Sequence, residues 1–435
     1  MSQRKLNTVL VLYHARGTYP LRHAIRSHLY CWKQYSHAKT IYINVAFGLP
    51  DRLLQANDFD VIIFDTSYMA MRWRDKDKFL NSAFIKTLNK SNAVKVIVPQ
   101  DEFVYGNLIS LFCNSIHVDL ILSCADLRDQ ARIYENLKTH THTIHQVLTG
   151  YLDDSAIKIT KRLYVPIEKR GGDVAYRAWN VAYWLGEHAH LKVRIAEVFK
   201  TGCQRTGLAE NISIDEKDVI SGAGWFRFLA NTRAVIGVEG GASVLDLDGH
   251  IKEKVETYMA EHPDATFGAC RKACFASDEN SLSLFCISPR HLEAVMMKTC
   301  QILVRGNYNG ILEPNVDYIP VEKDFSNLDE ALERLKDTAS VEQMTERAYM
   351  RVVNSGLYNY SRFVRDTERL IVDTFQPKLG KNLYKKKAMW FLKLKDTLNW
   401  QIIRAEVAYS KNPELFKPIK FALKPLYLFL VKKAR

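Results

Sequence analysis

A chain of 435 residues that is 47% hydrophobic and 25% charged has the composition of an ordinary soluble globular protein, long enough for two or three domains and several buried sheets. No uninterrupted apolar run reaches the roughly 18–20 residues that a membrane-spanning helix needs, which excludes a helical membrane protein. The net charge of +13 is unevenly carried: residues 378–435 hold 15 Lys/Arg and 3 Asp/Glu, a net +12, which leaves +1 for residues 1–377.

In chain order, "MSQRKLNTVLVLYHARG" has a basic residue or two, an apolar run of about seven and no small-residue cleavage site, and reads as a first strand, not a signal peptide. β-Branched runs of strand length follow: "TVLVLYH" (8–14), "TIYINVAF" (40–47), "DVIIFD" (60–65), "VKVIVPQ" (94–100) and "VDLILS" (118–123). Helix-length stretches lie between them, such as 21–35 and 77–90. Near-continuous apolar strands alternating with helices imply a parallel sheet covered on both faces. "THTHTIHQV" (139–147) places His140 and His142 on one face of a strand, but no carboxylate or cysteine accompanies them, so it reads as a polar edge strand and not a metal site.

"RLYVPIEKRGGD" (162–173) is the candidate linker, punctuated by Pro166 and Gly171-Gly172. The alternation then restarts with strands expected at 173–178, 234–240, 282–288 and 300–306, and helices at 187–201 and 289–299, the latter with proline at its first position. The expected fold is two tandem doubly wound α/β units, and the crevice between them is the default site for chemistry. Residues 340–377 read as helices that pack back across both units.

Several residues stand out along this frame. Asp101 and Glu102 follow a strand at its carboxyl end, as a catalytic base or as the cap of the next helix. His14 ends the first strand facing the same crevice, as a structural histidine or as a base or acceptor ligand. Gly240 and Gly241, with Ser243 after them, end a strand and either admit backbone N–H groups close to a phosphate or make a plain turn. Arg290 opens a helix, where its charge and the helix dipole both favour a phosphate. Asp246 and Asp248 read as capping or turn residues. The eight cysteines lie mostly in apolar runs and read as reduced thiols; Cys270 and Cys274 have no second pair to complete a zinc site.

Four stretches together, "VPQDEF" (98–103), "DVAYRAWNVAYWLGEHAHLK" (173–192), "GVEGGASVLDLDG" (237–249) and 287–330 with its "SPRHLEA", resemble the GT-B glycosyltransferases of bacterial surface-polysaccharide and O-antigen synthesis. The resemblance covers about residues 1–375. It implies two Rossmann-like domains facing a cleft: 1–165 for the acceptor and 166–339 for the nucleotide-sugar donor. It implies that Glu293 holds the ribose hydroxyls and that Arg177 and Lys192 clamp the donor diphosphate, with no metal and no cofactor beyond the nucleotide-sugar. The family pattern has a further acid eight residues before Glu293, where this chain has Phe285.

The tail, 378–435, interleaves lysine with Trp, Phe, Leu and Tyr, which is the composition of helices that lie on anionic membranes; no nucleic-acid motif accompanies it. The resulting expectation is a cytoplasmic glycosyltransferase, peripheral on the inner membrane face, that moves a sugar to a surface glycan or lipid-linked acceptor in lipopolysaccharide-type synthesis. A nucleotide-sugar epimerase of the same fold and a non-catalytic glycan-binding or scaffold protein are the alternatives.

Overall fold

The computed structural model describes residues 5–17, 19, 21–50, 54, 58–138, 143–220, 222–375 and 386–411. The first set of apolar runs forms a six-stranded parallel sheet from β1 (Thr8–Tyr13), β2 (Lys39–Asn44), β3 (Val61–Phe64), β4 (Val94–Ile97), β5 (Leu120–Ser123) and β6 (Thr143–Gln146), in the order β2-β1-β3-β4-β5-β6. Strands β1, β3, β4 and β5 are buried along their whole length, which is why they read as near-continuous apolar runs, with Lys95 interrupting β4. Strand β6 is the half-exposed edge strand; His140 and His142 lie outside the described residues.

The second parallel sheet contains β7 (Gly172–Arg177), β8 (Glu210–Ser213) and β9 (Thr232–Gly237), joined by β12 (Cys300–Val304) and β13 (Ile319–Val321) in the order β13-β12-β9-β7-β8. The expected strand over 282–288 does not enter it. Only β11 (Leu284–Cys286) forms there, and it pairs antiparallel with β10 (Gly240–Ala242). The expected α/β architecture of two doubly wound sheets about a cleft is the one observed.

The helices that position the site are α1 (His23–Tyr35), α2 (Gly106–Ile116), α3 (Glu187–Thr206), α4 (His250–Glu261), α5 (Phe267–Cys274), α6 (Pro289–Met296), α7 (Thr338–Val352), α8 (Tyr360–Phe375) and α9 (Lys386–Lys411). Residues 238–288, between β9 and β12, form an arm that carries α4 and α5 onto the first domain. The Tyr105 N–H donates to the Asp246 carbonyl (2.8 Å), and the Asp246 N–H donates to the Phe103 carbonyl (2.8 Å). Ala242, Val244, Val255, Phe275 and Leu284 of the arm belong to the first domain's apolar core, together with buried Cys270 and Cys274. The domains therefore share a core across the arm. The 162–173 stretch is also pinned: Arg170 is buried and donates to the carbonyls of Val165, Thr232 and Met297 at 2.9–3.1 Å.

After α7 on the second domain the chain crosses back, and α8 packs on α1. The basic segment then contributes α9, which packs along β2. Met389, Leu392 and Ile403 are buried there. The Tyr13 hydroxyl donates to Asp396 at 2.6 Å, and the Tyr13 ring stacks on Trp400. Trp390, 58% exposed, and Phe391 face outward. Residues 412–435 lie outside the described residues. A chain ending at 377 is expected to melt below one ending at 411, because each apolar side chain that α9 buries contributes about 1.5–3 kcal/mol. Calorimetric melting of the two truncations checks this, and equal melting temperatures would show that α9 adds nothing to the body. No helix among the described residues is long and apolar enough to cross a membrane.

Candidate active site

Ligands of doubly wound sheets bind beyond the carboxyl ends of the strands. Here the ends of β5 and β6 in one sheet and of β9 and β12 in the other line a single cavity of about 740 Å³. A smaller cavity of about 250 Å³ lies between the end of β7, the first turns of α6, and His23 and Ile25 of α1.

The smaller cavity is built on α6. Pro289 starts the helix, and Arg290 and Glu293 follow at a spacing of three, on one face. Glu293 is buried; its Oε2 accepts the Trp225 Nε1–H at 2.8 Å, and its Oε1 lies 3.5 Å from His23 Nδ1 across the domain interface. The Ser288 hydroxyl is buried beside them and has no hydrogen-bond partner among the described residues. Trp179 forms a half-exposed wall, with the Arg22 guanidinium 4.3 Å from its ring centroid. A carboxylate that can accept two hydroxyls, next to exposed indole, suits a diol joined to a planar group. Trp179 and Ser288 lie inside the stretches that carry the resemblance but were not singled out, and Trp225 and His23 carry no local sequence motif.

Beside this cavity the charges are unbalanced. Burial and then the Arg290 charge push the Lys192 ammonium down to about 8, with Asp101 acting in the opposite sense. Arg22 is lowered by burial and by the same Arg290. Burial raises the Asp101 carboxyl, against the pull of Arg72 and Lys192. Arg290 crowds both Arg22 and Lys192, and such a set of cations favours an added anion. Arg290 also donates to the Arg177 carbonyl at 2.8 Å, which holds α6 against β7.

Asp101 itself is held by its own domain. Gln100 and Asp101 have φ of 43° and 46°, the left-handed region that costs a residue with a side chain. Arg72, 0% exposed, keeps them there by donating to the carbonyls of Met69 (2.8 Å), Gln100 (2.9 Å) and Asp101 (2.7 Å). Asp101 is exposed as a residue, and its carboxyl group feels the Lys192 charge of the second domain.

In the larger cavity, Phe285 stands where the family pattern has an acid, and its ring stacks on His188 with centroids 3.7 Å apart. Asp126 and Glu239 are the carboxylates there; Glu239 accepts the Tyr308 N–H at 2.6 Å, and burial raises its pKa while Lys323 opposes the rise. Gly306 makes room for it, since a Cβ at 306 would lie 2.3 Å from Glu239 Oε2. Glu239 was missed although it immediately precedes Gly240-Gly241 at a strand end.

Other expected site residues are placed differently. Glu102 does not reach the cleft: it is 0% exposed and accepts from Ser123 Oγ (2.5 Å), the Cys124 N–H (2.7 Å) and the Tyr134 hydroxyl. Gly240 and Gly241 face β11, not a phosphate; Gly241 has φ 105°, and a Cβ there would meet the Leu284 carbonyl oxygen at 1.7 Å. Ser243 accepts the His188 N–H (3.2 Å) and donates to Glu279 (2.5 Å), so the N-terminus of α3 already holds a carboxylate. Arg177 lines the smaller cavity, and its guanidinium donates to the carbonyls of Asp218 (3.2 Å) and Asn211 (2.7 Å) and to the Asn211 amide oxygen (2.6 Å), contacts that shape the 216–220 loop. His14 lies in a separate cavity of the first domain. Asp246 accepts the N–H groups of Gly249 and Lys252 at 2.9 and 2.8 Å, which is the capping use expected of it.

No family model matches the chain, and no curated protein matches it either. Among solved structures it is similar to HepE of Anabaena in complex with UDP and glucose: 12% identity, TM-score 0.45, 85% of this chain and 100% of that one. An alpha-glucosyltransferase in complex with UDP-glucose and DNA containing an abasic site shows 10% identity and a TM-score of 0.49, over 84% of this chain and 99% of that one. Sucrose-phosphate synthase from Thermosynechococcus elongatus shows 9% identity and a TM-score of 0.44, over 85% and 100% respectively.

Proposed function

We propose that the protein is a glycosyltransferase that moves a sugar from a nucleotide-sugar to the hydroxyl of a surface glycan or lipid-linked acceptor. The observation that carries this reading is Arg290 and Glu293 on one helix face lining a cavity at the junction of two Rossmann-like domains, with the Lys192 charge felt by both Arg290 and Asp101. Glu293 accepts the ribose hydroxyls, with the base against Trp179. Arg290 and Lys192 meet the diphosphate and stabilise the charge that grows on it as the sugar leaves. The sugar lies in the larger cavity near Glu239. Asp101, opposite, takes the proton of the attacking hydroxyl. The exposed face of α9, with Trp390 and Phe391, and the basic residues beyond it hold the enzyme at an anionic membrane. The truncation at 411 accordingly loses part of the salt-sensitive binding to anionic vesicles that the full chain has.

The test starts from a thermal-shift screen of UDP, GDP, ADP, CMP and dTDP, since a ligand of the folded state raises the melting temperature. The selected nucleotide is then titrated calorimetrically across pH. Binding a diphosphate favours charged Lys192, so affinity is present below about 8 and falls as pH rises through that value. Losing one charge-assisted contact weakens binding by about 10–150-fold, on the order of 1.5–3 kcal/mol. Lys192→Arg, which stays charged, flattens the profile. No shift with any nucleotide, or a flat wild-type profile, overturns the reading.

A further inference from the structure

One further cavity contains none of the residues given a role in the proposed transfer. It measures about 470 Å³, lies wholly within the first domain at the ends of β1 and β2, and shares no lining residue with the two cavities described above. In this sheet β1 has β2 on one side and β3 on the other. The connections leave it in opposite directions, so the cavity sits at the topological switch point, where sheets of this kind take ligands.

Its lining carries an unmet donor. Tyr68 is 1% exposed, its ring wedged between Phe64, Phe84 and Phe112. It lines the cavity, and its hydroxyl is buried with no hydrogen-bond partner among the described residues. Buried hydroxyls are nearly always paired, because an unpaired one loses its water without return. The cavity is also electropositive at its rim. Arg16 and Lys78 line it, and with Arg74 they add to burial in holding His14 below its usual range. Arg16 meets Glu406 at 3.0 Å and Lys78 meets Asp75 at 2.6 Å, but both pairs face solvent and exchange at little cost. The remaining wall is mostly apolar, with Leu49, Met71 and Phe84, and includes Asn81.

We propose that this cavity is a second binding site, for a phosphate ester with an apolar body: the phosphate against Arg16 and Lys78, the Tyr68 hydroxyl donating to the ester, and the apolar part on the Phe84 wall. The chemistry is shared by a membrane phospholipid and a small soluble phosphate ester, and the site does not depend on the nucleotide reading.

The full-length protein is titrated by calorimetry with dihexanoyl phosphatidic acid, phenyl phosphate and inorganic phosphate. At least one of the two esters binds about tenfold or more tightly than inorganic phosphate, because only an ester uses the apolar wall. Tighter binding of the lipid assigns the site to a membrane source, and tighter binding of phenyl phosphate to a soluble one. Tyr68→Phe weakens the ester by about tenfold and, with no ligand, melts at or above wild type, since only an unpaired hydroxyl is removed. Lys78→Glu, on the surface, weakens it as well. The proposal is overturned if neither ester binds at millimolar concentration, if Tyr68→Phe binds as wild type does, or if Arg290→Ala abolishes the binding, which would put the ester in the interdomain cleft.

Discussion

Asp101→Asn lowers turnover by about 10²–10⁴-fold, the usual share of a general base, and leaves nucleotide affinity within about twofold. The amide keeps the size of the side chain and can still accept a hydrogen bond, but it cannot take the acceptor's proton. The prediction rests on placement. Asp101 is on the first domain, its carboxyl group feels the Lys192 charge of the second, and Arg72 holds its backbone in a left-handed conformation. Its neighbour is the internal control. Glu102→Gln disturbs three buried hydrogen bonds and lowers the melting temperature, with turnover of the remaining folded protein near wild type. The measurement is release of sugar from the nucleotide-sugar that the screen selects, paired with a nucleotide titration of each variant. An Asp101→Asn protein as active as wild type removes the base assignment, and a loss of nucleotide affinity instead moves Asp101 to the donor side.

Glu293→Ala weakens the nucleoside diphosphate by about 10²–10⁴-fold, because two charge-assisted hydrogen bonds to ribose are lost, on the order of 1.5–3 kcal/mol each. Glu293 Oε2 accepts from Trp225 and Oε1 lies 3.5 Å from His23, so one ribose hydroxyl enters at Oε1 beside His23 and the other uses the second lone pair of Oε2. The ribose role has its own signature. Wild type should discriminate strongly against a 2′,3′-dideoxynucleotide, and Glu293→Ala should bind the two alike. If Glu293→Ala still prefers the ribonucleotide, the carboxylate serves Trp225 and not the sugar. Arg177→Lys gives a further contrast. It loosens the loop that carries Val219 and Ile220 at the cavity and weakens binding less, since Arg177 acts through Asn211 and Asp218.

The architecture was legible in the sequence because strand and helix periods are local. Unbroken β-branched runs alternating with helices set both parallel sheets, and β8, β13 and the fate of 282–288 escaped because three- and four-residue strands carry little pattern. Residue type and position on a single helix were equally legible. Arg290 and Glu293 stand at the start of α6 as the sequence implies, and both line the interdomain cavity. Partners were not legible, and the remaining corrections come from partners. Whether a guanidinium or a carboxylate is available to a ligand depends on which distant group already satisfies it. Asn211 takes Arg177, Glu279 takes Ser243, Ser123 and Tyr134 take Glu102, and the Leu284 carbonyl requires the missing side chain of Gly241. Asp101 and Lys192 lie on different domains and meet only across the cleft. Short-range hydrogen bonding and apolar periodicity therefore determined the fold from sequence alone. The charge balance of the site, set by long-range contacts between side chains, was decided by the tertiary structure.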